Sequence, residues 1–353
     1  MTGQNILRLL LVFVPVSFYL GMTHASPTWV FLAACLAILP LAGLMGEATE
    51  HLTHHMGPGI GGLLNASFGN AAELIIAFMA LRAGETEIVK ASLTGSIIGN
   101  ILMVLGLAML LGGWKRKELV FSRLAAESGS SMMVLAVVAL VIPAIYAQVT
   151  HHTHPDHLES ISLDISYILI LTYAASLVFS LKTHKRLFAA AEEHADEEPH
   201  QVWSVGKSMG VLLAAAVLVG FVSEFLVHAV DEAGKAMGLG KVFMGVVVVA
   251  IVGNAAEHST AILVAMKGKM DLALGIAMGS SMQIALFVAP VLVIAGHVMG
   301  RPLGLEFTML EVVAVMLSVS AVSLLIHDGK TNWFEGFQLL AIYTILAIAF
   351  YFV

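Results

Sequence analysis

The chain has 353 residues, 59% of them hydrophobic and only 12% charged, about half the charge expected of a water-soluble globular protein. Its 17 Lys and Arg against 24 Asp and Glu leave a net charge of −7, so nucleic acid is excluded as a partner. The single cysteine, Cys35, permits neither an intrachain disulfide nor a cysteine zinc site. With a mean hydropathy of +0.92, most of the surface must face lipid. The chain reads as an all-α polytopic membrane protein with room for about ten to twelve spans of about 20 residues and for no soluble catalytic domain.

Apolar runs between polar or Pro/Gly-rich breaks predict eleven spans, at 6–23, 28–51, 59–82, 88–112, 125–147, 161–182, 204–229, 241–266, 270–298, 304–326 and 333–353. The first resembles a signal peptide in its Thr23-His24-Ala25 ending, but with Arg8 as its one basic residue it reads as an uncleaved span. Alternating the loops from an inside N-terminus places twelve of the seventeen Lys and Arg inside. By the positive-inside rule the N-terminus is then cytoplasmic and the C-terminus outside. Between the sixth and seventh spans the run Glu192, Glu193, Asp196, Glu197 and Glu198 predicts a cytoplasmic acidic helix ended by Pro199. Such a helix either is a solvated linker or gathers cations at the cytoplasmic mouth.

The run Gly69-Asn70-Ala71-Ala72-Glu73 recurs as Gly253-Asn254-Ala255-Ala256-Glu257, 184 residues later. The same offset superposes Gly84 on Gly268 and Gly95-Ser96 on Gly279-Ser280 without a gap, which marks an internal duplication. The copies fall on the third and eighth spans, an odd number of crossings apart, so they run in opposite directions. This is the inverted-repeat plan of secondary transporters. The predicted organisation is a leading helix (1–27), a first five-helix repeat (28–183), the acidic linker (184–202) and a second, inverted five-helix repeat (203–353).

An intramembrane acid is costly and therefore a functional candidate, and two repeat-related ones are rarely structural. Asn70 and Asn254, three residues before Glu73 and Glu257, would share a helix face with them, and Gly69 and Gly253 would allow a kink. Ser96 and Asn100, and Ser280 and Gln283, add neutral oxygens on the neighbouring helices. Two carboxylates with amide and hydroxyl oxygens and no thiolate suit a hard divalent cation, with Ca²⁺ the natural candidate. Cation and proton would compete for the same oxygens, the minimum a cation/proton antiporter needs. Glu47, Glu50, Glu224 and His228 are candidates for access paths and proton relay, or for a membrane-interface role. His258, where Leu74 stands in the first copy, either tunes Glu257 or is a packed core histidine.

Other signals carry less. His51, His54 and His55 lack the glutamate of a zinc protease helix, because Leu52 stands in its place. Gly206-Lys207-Ser208 lacks the first glycine of a phosphate loop, with Gln201 there instead. His151, His152, His154 and His157 form an unassigned outside cluster. No enzyme motif stands in a suitable context.

The two repeated runs, with Glu73-Leu74-Ile75 and Glu257-His258, together with Ala48-Thr49-Glu50, Ser281–Leu286 and the acidic stretch 192–198, resemble the Ca²⁺/H⁺ antiporters. That family lies within the calcium/cation antiporter superfamily, which includes the Na⁺/Ca²⁺ exchangers. The resemblance covers essentially the whole chain. It implies eleven spans in two inverted five-helix repeats, Ca²⁺ coordination centred on Glu73 and Glu257, an acidic helix that helps collect cytosolic Ca²⁺, and Ca²⁺ export driven by inward proton flow. The short termini look like those of bacterial members, which implies the plasma membrane. Ca²⁺ and H⁺ are then cargo, and no cofactor is expected. Homo-oligomerisation is left open. The alternatives are a Na⁺-coupled or Mn²⁺ exchanger of the same superfamily, and a Ca²⁺-permeable channel.

Overall fold

The computed structural model describes residues 9–23, 25–150, 155–184 and 202–353; the acidic run 192–198 and His151, His152 and His154 lie outside them. The helices are α1 (Phe13–Met22), α2 (Pro27–Phe68), α3 (Ala71–Ala83), α4 (Thr86–Gly113), α5 (Arg123–Val149) and α6 (Asp156–Thr183). There follow α7 (Val205–Met237), α8 (Lys241–Gly253), α9 (Ala255–Met266), α10 (Met270–Val298), α11 (Met309–Leu325) and α12 (Trp333–Tyr351). Strands β1 (Leu119–Val120) and β2 (Lys330–Thr331) pair antiparallel. Among the described residues seven helices are long and apolar enough to cross a membrane, or eight if the bent pair α8–α9 counts as one span. The protein is an integral membrane protein.

Local chemistry sets most of the boundaries. The Ser122, Ser204 and Thr308 hydroxyls cap α5, α7 and α11, and Gly84 (φ 88°) and Gly238 (φ 71°) close α3 and α7 in the left-handed region. Two expectations shift. The loop expected between 51 and 59 is helical, because α2 continues to Phe68. Gly57, Pro58 and Gly59 are poor helix formers, yet the helix runs through them. The last-but-one span starts at Met309 rather than 304. Residues ahead of it are extended, burying Leu303, Leu305 and Phe307, and the buried Ser162 hydroxyl accepts from the Leu305 amide at 2.9 Å.

The chain forms two compact units. The first draws on Met1–Gly95, His200–Ala256 and Ala349–Val353. There α2 and α7 pack along each other, with α1 against α2 and with α3 and α8 on the same pair. Phe18 meets Phe225 edge-on at 5.5 Å. Trp203 stacks on His51 at 4.6 Å between ring centres, with Lys207 Nζ 4.0 Å from the indole centre, and His55 Nε2 donates to the Trp203 carbonyl at 2.7 Å, so two of the three histidines set aside as a zinc motif hold the residue just ahead of α7.

The second unit draws on Ser96–Pro199 and Glu257–Ile348. Here α10 packs on α5, α6 and the second half of α4, while α11 lies against α5. Tyr173 stacks on Phe287 at 5.6 Å. Gly106 and Gly336 bring α4 and α12 into backbone contact: a Cβ on Gly336 would lie 2.5 Å from the Leu110 nitrogen. At one end the connecting segments are tied together. The Ser122 amide donates to Asp271 Oδ1 at 2.5 Å, and Arg116 donates to the carbonyls of Gly112 (2.6 Å) and Met266 (3.1 Å).

Candidate ion-binding site

Each copy of the repeated run interrupts a helix. Asn70 (φ −99°, ψ 29°) separates α2 from α3, and Asn254 (φ −92°, ψ 5°) separates α8 from α9. Asn70 and Glu73 accordingly stand at the N-cap and third position of α3 rather than in mid-helix. The asparagine stands at the break and the glutamate in the first turn of the helix that follows. Asparagine leaves helical geometry readily because its side chain can bond nearby backbone. The Asn254 amide does so, donating to the Ala250 carbonyl at 2.9 Å. A carboxylate in a first turn faces the positive end of the helix dipole and its unpaired amides, the arrangement broken transporter helices use at ion sites.

In the first unit Asn70 and Asn254 are buried, and Glu73 is buried with 8% exposure. Glu73 lies against the backbone of the second copy: a Cβ on Gly253 would stand 3.4 Å from Glu73 Cγ and 3.8 Å from Oε1. Gly253, expected only to allow a kink, also leaves the flank of this carboxylate clear.

In the second unit Glu257 accepts a hydrogen bond from the Ser280 hydroxyl of α10. His258 is buried, its Nε2 donating to Asn100 Oδ1 at 3.0 Å. Asn100 lies in a π-turn, Gly99–Val104, and Gln283 precedes another, Ile284–Val288. Such turns recur at functional sites because they widen the helix and re-aim its side chains. Ser96 and Ser280 are buried beside them in sequence.

The candidate access residues lie differently. Glu47 is half-buried, while Glu50, Glu224 and His228 are exposed. His228 Nδ1 lies 2.7 Å from the Glu224 carbonyl oxygen, one helical turn back. Among the described residues no cluster of three or more His, Cys, Asp or Glu forms a resident metal site. Sequence reasoning missed the π-turns and the role of Gly253 beside Glu73. The gap-free 184-residue offset was the signal that could have pointed to the first.

The sodium/calcium exchanger protein model matches residues 26–182 and 207–352. The chain is 45% identical to the Ca(2+)/H(+) antiporter of Aphanothece halophytica, over 97% of this chain and 95% of that one. It is also 45% identical to the Ca(2+)/H(+) antiporter ChaA of Bacillus subtilis, over 96% of each. The solved structure of native YfkE superposes with a TM-score of 0.86 at 40% identity, covering 99% of this chain and all of that one (100%). A structure of the H+/Ca2+ exchanger CAX shares the fold alone, at a TM-score of 0.70 and 14% identity. A family model matched over both halves, near-full-length relatives and a common fold agree: the chain belongs to the sodium/calcium exchanger protein family.

Proposed function

We propose that the protein is a secondary transporter that exchanges cytosolic Ca²⁺ for protons by alternating access. The observation that carries this is the pair of repeat-related helix breaks, each setting a glutamate in the first turn of a new helix. The family match and the names of the near-full-length relatives support it. Glu73 and Glu257 bind either Ca²⁺ or protons. Asn70, Asn254, Ser96, Ser280 and Gln283 supply or orient neutral oxygens, which a hard cation needs to complete its shell. The hydrogen bond from His258 commits Asn100 Oδ1, so Asn100 supports the site through this pair. Glu50, Glu224 and His228, being exposed, serve the approaches. The cytoplasmic segment 192–198 gathers cations there.

In this reading residues 28–183 and 203–353 are the inverted halves, with the N-terminus cytoplasmic, the C-terminus outside and the plasma membrane as host. Ca²⁺ and H⁺ are cargo, and the protein is a transporter rather than an enzyme. The test is proton-gradient-driven ⁴⁵Ca²⁺ uptake into inverted membrane vesicles. Uptake should vanish on collapsing the gradient and in Glu73→Gln and Glu257→Gln; normal uptake by either variant overturns the site. Undiminished Na⁺-driven flux after the pH gradient is collapsed would instead identify a sodium-coupled exchanger.

A further inference from the structure

In the first unit α4 and α8 cross as closely as two backbones can. A Cβ on Gly95 would stand 2.0 Å from the Val246 carbonyl oxygen, and one on Gly245 would stand 2.4 Å from the Ala91 Cβ. Only glycine permits this approach, which in lipid is how helices gain packing contact. The same crossing carries an ion cluster at its end. Lys241, the first residue of α8, places Nζ 2.5 Å from Glu85 Oε2, 3.3 Å from Asp231 Oδ2 and 3.8 Å from Glu87 Oε2. Glu85 lies in the turn between α3 and α4, Asp231 near the end of α7 and Glu87 in the first turn of α4. One ammonium group thus ties α8 to three neighbouring elements.

The repeat supplies a comparison. The counterparts of Ala91 and Gly95, 184 residues on, are Gly275 and Gly279. In the second unit a Cβ on either would meet nothing within 4 Å. The ion cluster has no counterpart in sequence, since Lys269 takes the place of Glu85 and Gly57 that of Lys241. Among the described residues, then, the α4–α8 face is closely packed and tied by ions, while no described atom lies within 4 Å of a Cβ at the two repeat-related glycines.

We propose that Lys241 is a positioning residue that latches the α4–α8 crossing shut, and that the transport cycle opens this crossing by breaking its contacts with Glu85, Asp231 and Glu87. This rests on the alternating-access reading above, whose orientation puts the latch at the outer end. Removing the lysine does more than delete a pair, because it leaves three carboxylates facing one another. The groups are partly exposed, with Lys241 at 30%, so water and salt screen the effect and keep it moderate.

The reporter is Val246→Cys in a Cys35→Ala background, a change that shrinks a buried side chain on the residue whose backbone meets Gly95. Its labelling rate by a membrane-impermeant maleimide is measured on right-side-out vesicles. Lys241→Gln should raise that rate about three- to tenfold, the scale of a partly exposed ion cluster. Lys241→Glu should raise it further, and adding Glu85→Lys should slow it again. If Lys241→Gln does not reach the membrane, Glu85→Gln with Asp231→Asn must give the same acceleration. A rate equal to the parent in these neutralised variants overturns the latch, as does an exchanged pair labelling no more slowly than Lys241→Glu. Labelling needs no transported ion, so a failed calcium–proton exchange assay leaves this test standing.

Discussion

The Ser281 hydroxyl donates to the carbonyl oxygen of Ile97 across 3.4 Å, and the two residues stand 184 positions apart, the separation of the two repeated runs. Two objects related by a twofold axis bring an equivalent pair into contact only at the axis. Under the proposed duplication, α4 and α10 therefore cross where the halves are related, one turn from Asn100 and beside Ser280 and Gln283.

Ser280→Ala removes the hydroxyl that donates to Glu257. A hydrogen bond to a charged acceptor contributes about 1.5–3 kcal/mol, so the KM for Ca²⁺ in vesicle uptake should rise about tenfold or more. Ser280→Thr, which keeps the hydroxyl, should recover most of the loss. An unchanged KM in Ser280→Ala would remove this residue from the site.

The buried pair His258 and Asn100 has Leu74 and Ile284 as its counterparts at the 184-residue offset. His258→Leu and Asn100→Ile should each destabilise the protein by about 1–3 kcal/mol, because each leaves a buried polar partner unmatched. Together they put an apolar residue at both positions of the pair and should cost less than the sum of the singles. Thermal unfolding of the detergent-solubilised variants reads this coupling, and strict additivity would count against a paired role.

Gly95 and Gly279 are equivalent in the repeat but not in their surroundings. Gly95→Ala drives a methyl into the Val246 carbonyl and should cost about 1–3 kcal/mol, the range for overpacking. Gly279→Ala meets nothing within 4 Å and should leave the melting temperature nearly unchanged. Equal effects of the two substitutions would show that the crossing is not close-packed.

If Ca²⁺ and protons share oxygens, acidifying the Ca²⁺-binding side should raise the KM for Ca²⁺ and leave the maximal rate at saturating Ca²⁺ less affected. The sign follows from competition: each proton bound removes a ligand the cation needs. One competing proton gives up to about a tenfold rise per pH unit, and two give a steeper one. A KM flat with pH would argue for separate ion and proton sites.

Much of this protein is legible in sequence. Hydropathy shows the membrane class and most of the helices, because lipid demands long apolar runs wherever the chain crosses. The proposed duplication rests on Glu73 and Glu257 sitting in identical five-residue settings, and an acid within an apolar run stands out by its cost in lipid. These are local properties, carried by each segment alone. Tertiary structure decided the rest. It set the helix break at Asn70 rather than in the Gly57–Gly59 stretch. It gave Glu257 the Ser280 hydroxyl and His258 the Asn100 oxygen, pairings between residues far apart in the chain that no periodicity encodes. It also packed Gly95, while among the described residues nothing lies within 4 Å of a Cβ on Gly279. Identical residues at equivalent positions part company there, because the neighbour that fills the space comes from another segment and not from the sequence around the glycine.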